Sequence, residues 1–85
     1  MFRIYLHILE VLAKNIEGAT VEKIVAESNG EFERQQIGSK IQMLAKEGYV
    51  TLEQVPGRAV YKITDKALIE LESVVYQARY IELPF

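Results

Sequence analysis

Gln35, Gln36, Ser39 and Gln42 fall within eight residues of one another, and each carries a side chain that both donates and accepts hydrogen bonds. Such groups read the edges of another molecule; they do not move protons at neutral pH. Basic side chains bracket and follow them. From Arg34 to Lys62 the chain carries Arg34, Lys40, Lys46, Arg58 and Lys62 against Glu47 and Glu53 alone, although its net charge is −2. The middle of the sequence is therefore basic and its flanks acidic, a distribution more informative than the total.

Catalytic chemistry has few residues to work with. There is no cysteine, which removes thiolate nucleophiles, disulfides and thiolate metal sites together. His7 is the one histidine and Asp65 the one aspartate. No metal site and no cofactor is therefore expected. Ser28, Ser39 and Ser73 have no base beside them in the sequence, and the glycines form no phosphate-cradling loop. The chain is not expected to be an enzyme, and no small-molecule ligand is evident.

The elements that would position these side chains are legible from periodicity. Composition, with 49% hydrophobic and 26% charged residues, fits one small soluble domain over residues 1–85. In the first helix, expected over residues 3–17, Arg3, His7, Glu10 and Lys14 mark a narrow solvated stripe among apolar residues, and Gly18 stands as its stop. Those same four residues interrupt the apolar run before a membrane span can form, so a cytoplasmic protein without membrane contact is expected. Thr20 is placed to cap a second helix over 21–28, which Asn29-Gly30 would end. A third helix over 33–47 has Ile37, Ile41 and Leu44 on its inner face and Gly48 at its end. Projected at about 100° per residue, its opposite face holds Gln35, Ser39, Gln42 and Lys46, and the glycine at position 38 suggests a close approach there. A hairpin of two antiparallel strands, 49–63, turns through Pro56-Gly57 as a type II turn and puts Arg58 at its tip. Thr64 would cap a closing helix over 65–80.

Three helices, a hairpin and a closing helix follow the order of a winged helix-turn-helix domain, a mainly α fold with a small β-hairpin. The stretch "IGSKIQMLAKEGYV" resembles that family's recognition helix running into the first wing strand, and "YKITDKALIEL" resembles the second wing strand and closing helix of MarR-like and PadR-like regulators. Size and layout are similar to those of small archaeal and archaeal-virus dimeric regulators. The resemblance spans about residues 4–75. It implies that the third helix enters the major groove of double-stranded DNA, with Gln35, Gln36, Ser39 and Gln42 at base edges. Arg34, Lys40, Lys46, Arg58 and Lys62 would then meet the backbone or the minor groove, where Arg58 suits the concentrated negative potential.

Apolar residues on the first and last helices exceed what one small core can cover, which predicts a homodimer through Tyr5, Ile8, Leu68, Leu71, Val75 and Tyr76. The expected function is that of a homodimeric, sequence-specific DNA-binding transcriptional regulator. The alternative is a protein-protein interaction module of a transcription or replication assembly, which the acidic balance and Glu31 and Glu33 favour.

Overall fold

Short-range signals place most elements, and long-range contacts decide where they stop. The computed structural model describes residues 2–72: helices α1 (Phe2–Lys14), α2 (Val21–Ala26) and α3 (Arg34–Lys46), strands β1 (Val50–Val55) and β2 (Arg58–Ile63), and a further helix α4 over residues 65–72. The architecture is mainly helical with one two-stranded antiparallel hairpin, a layout compatible with a winged helix. The remainder of the helix expected over 65–80, including Val75 and Tyr76, lies outside the described residues.

Thr20 caps α2 as its residue type predicts: its backbone is extended and its hydroxyl accepts the Lys23 N–H at 3.2 Å. The helix stops at Ala26 rather than at Ser28, because Ser28 has another role. Its buried hydroxyl donates to the Val25 carbonyl at 2.7 Å and accepts the Phe32 N–H at 3.2 Å, closing the turn between α2 and α3 from inside. At the far end of α3, the Gly48 N–H reaches the Ala45 carbonyl and the Tyr49 N–H the Leu44 carbonyl, at 3.1 and 2.9 Å. Gly48, at φ 86°, supplies the left-handed residue that this Schellman ending requires.

α1 ends three residues before the expected boundary. The Asn15 amide side chain and backbone both return to the Val11 carbonyl, at 2.7 and 3.0 Å, and terminate the helix at Lys14. Gly18 serves a different purpose from the helix stop its sequence position suggests. Its φ is 115°, and a Cβ added to it would run into Val60 Cγ1 on the hairpin. Only glycine lets the chain pass so close, and the next residue exploits that approach: Ala19 and Tyr61 exchange two backbone hydrogen bonds at 2.8 and 2.9 Å. The hairpin is thereby tied to the segment between α1 and α2.

Ile8 and Leu12 of α1, Ile24 of α2, Ile37 and Ile41 of α3 and Val50 of β1 are fully buried together and form the core. This corrects the assignment of Ile8 to a dimer surface. Its side chain is already enclosed by its own chain, and offering it to a second copy would open the core. Ala67 of α4 is also fully buried, so α4 packs onto this body near its start. Thr64 fixes that junction, its hydroxyl donating to the Gly48 carbonyl at 2.8 Å and accepting the Ala67 N–H at 3.3 Å.

Candidate nucleic-acid interface

Burial of Ile37, Ile41 and Leu44 fixes the roll of α3, and with it what the helix shows to solvent. Gln35, Ser39, Gln42 and Lys46 are all exposed on the opposite face. Nothing lies within 4 Å of the place a Cβ would occupy at Gly38. Among the described residues, none makes the close approach expected there.

Gln36 is exposed but partly committed. Its Oε1 accepts the Glu33 N–H at 2.9 Å, closing the first turn of α3. Bidentate pairing with an adenine needs the whole amide turned outward, so Gln36 can make it only when that cap opens. Glu33 enters this cap through its backbone N–H, whereas the carboxylate of Glu31 forms an ion pair with Arg3 of α1.

The five cations assigned to DNA do not lie on one surface. Lys46 shares the outer face of α3, whereas Lys40 is half-buried on the α1 side with its Nζ 5.9 Å from the centre of the Tyr5 ring. Lys62 pairs with Glu53 across the hairpin at 3.0 Å. Arg34 leans the other way, toward α2, and its Nη2 lies 2.8 Å from a carboxylate oxygen of Glu22. Arg58 stands exposed at the hairpin tip, where Val55 and Arg58 pair across Pro56-Gly57. Arg34 and Arg58, far apart in sequence, border one cleft of about 490 Å³ that also includes Glu22 and Tyr61. No local pattern announces Glu22, because its pairing with Arg34 depends on how α2 and α3 cross.

His7 departs from the solvated role its stripe position predicts. It is half-buried, with Nε2 2.8 Å from the Ile24 carbonyl and its ring 5.6 Å from that of Phe32, so it fastens α1 to α2. Among the described residues no three His, Asp or Glu side chains converge as metal ligands would, and no helix is long and apolar enough to cross a membrane.

Leu6 and Leu9 of α1, Leu44 of α3 and Ala67 and Leu71 of α4 line a separate apolar groove of about 320 Å³. Tyr5 and Tyr49 border it, and the nearby Glu70 carboxylate raises the pKa of the Tyr49 phenol. Of the residues assigned to a dimer surface, Tyr5 and Leu71 line this groove, while Leu68 is half-buried on α4. Ile69, not singled out by the sequence, is 69% exposed on the same helix.

No protein-family model matches the chain, and no curated protein matches it.

Proposed function

We propose that the chain is a winged helix-turn-helix protein that binds double-stranded DNA as a homodimer and regulates transcription. The observation that carries this reading is the outer face of α3, where Gln35, Ser39, Gln42 and Lys46 are exposed together with no carboxylate among them. A helix presented in this way fits the major groove, where glutamine can pair with adenine and serine can donate or accept. Lys46, Arg34 and Arg58 would contact phosphates or, for Arg58, a narrow minor groove. A second copy seated on the apolar side of α1 and α4 would present two such faces to half-sites about one helical turn apart.

A second reading has its own support. Arg34 and Lys62 are each paired with a carboxylate, and Arg3 is paired as well, so part of the positive charge is already neutralised within the fold. That pattern suits a winged helix used as a protein-interaction module.

Selection of duplexes from a random pool separates the two. The DNA reading expects an enriched sequence, a preference that relaxes when Gln35 and Ser39 are both replaced by alanine, and a general loss of affinity for Arg58→Ala. Equal affinity for every duplex contradicts sequence-specific recognition. Capture of a protein partner that survives nuclease treatment, with no duplex bound, supports the interaction module.

A further inference from the structure

We propose that Glu22 occupies, in the unbound protein, the place of a DNA phosphate: it holds Arg34 and yields it to a backbone phosphate seated between Arg34 and Arg58. The inference rests on the DNA-binding reading and assigns a residue that reading does not use. Three observations support it. The Glu22 and Arg34 groups lie 2.8 Å apart, a charge-assisted contact in which the carboxylate meets the guanidinium as a phosphodiester could. Their side chains are 60% and 73% exposed, so an incoming anion can reach both. Finally, the cleft they border is the one that includes Arg58 at the wing tip, so an anion that displaces Glu22 gains a second guanidinium from another element.

The magnitudes allow the exchange. An exposed ion pair contributes little, about 0.2–1 kcal/mol, because water screens both partners, so Arg34 is released at small cost. A phosphate between two guanidiniums, close to the low-dielectric wall of a DNA groove, is held more strongly than either charge in water. Glu22 thereby lowers affinity for every duplex, with no effect on which base is read.

A double-mutant cycle tests this, with fluorescence anisotropy of a labelled mixed-sequence duplex at about 0.1 M salt. The wild-type chain, Glu22→Gln, Arg34→Ala and the double variant are compared, each checked for folding by thermal melting. Glu22→Gln is expected to bind about two- to fivefold more tightly, the range that one exposed pair represents. In the Arg34→Ala background the same substitution is expected to change nothing. Unchanged affinity for Glu22→Gln overturns the inference, as does a gain that persists in full without Arg34, since that would be only the field of one lost carboxylate. Failure of the wild-type chain to bind duplex at all would defeat the DNA reading and this inference with it, so the two failures are distinguishable.

Discussion

Individual polar side chains in this domain divide into those that close the fold on itself and those left facing outward. Ser28 belongs to the first group. It is buried, and its hydroxyl joins the carbonyl at the end of α2 to the amide that leads into α3. Ser28→Ala leaves the Phe32 N–H without its partner in a half-buried turn and is expected to cost about 1–2 kcal/mol, measured as a lower urea midpoint. An unchanged midpoint would mean that water replaces the hydroxyl and that the turn is held elsewhere. Gln35, Ser39 and Gln42 belong to the second group, and their exposure was legible in the sequence because helical period alone sorts them from Ile37, Ile41 and Leu44. The commitments of Gln36 to Glu33, of Arg34 to Glu22 and of His7 to Ile24 were not read from it. The first is local but competes with an outward role, and the other two depend on how separate helices cross.

At the scale of elements, the sequence marked starts better than stops. Thr20 and the Pro56-Gly57 turn act through neighbours one to three residues away, so their residue types suffice. The end of α1 was misread because Gly18 looks like a helix stop, whereas its value lies in contact with Val60, a residue of the hairpin more than forty positions later. Gly38 raises the same question within α3. The space above it is open, so Gly38→Ala meets no steric obstacle and is expected to stabilise the helix by roughly 0.5–1 kcal/mol. For a domain of this size that is a rise of about 2–8 °C in Tm. If DNA passes over this position, the same variant binds duplex less tightly although it is more stable. Tighter melting with undiminished binding would place the DNA contact farther along the helix, toward Gln42 and Lys46.

For the whole molecule, the proposed account depends on two surfaces that meet along α3: a polar one built from its outer face and the wing tip, and an apolar one built from α1 and α4 with Leu44 of α3. The apolar groove and the exposed Ile69 give a second copy a surface to cover, and a domain this small gains from that cover. Pairing would also double the phosphates neutralised, which compensates for the carboxylates that hold Arg34 and Lys62 in the single chain. The central claim, that the polar side binds DNA, is tested most directly by the anisotropy of a labelled mixed-sequence duplex titrated at several salt concentrations. The account predicts binding that weakens steeply with salt, with a log–log slope of magnitude about 4 or more, as expected when several phosphates lose their counterions. Absence of binding even at low salt would contradict it and turn the same helix face and wing toward a protein partner.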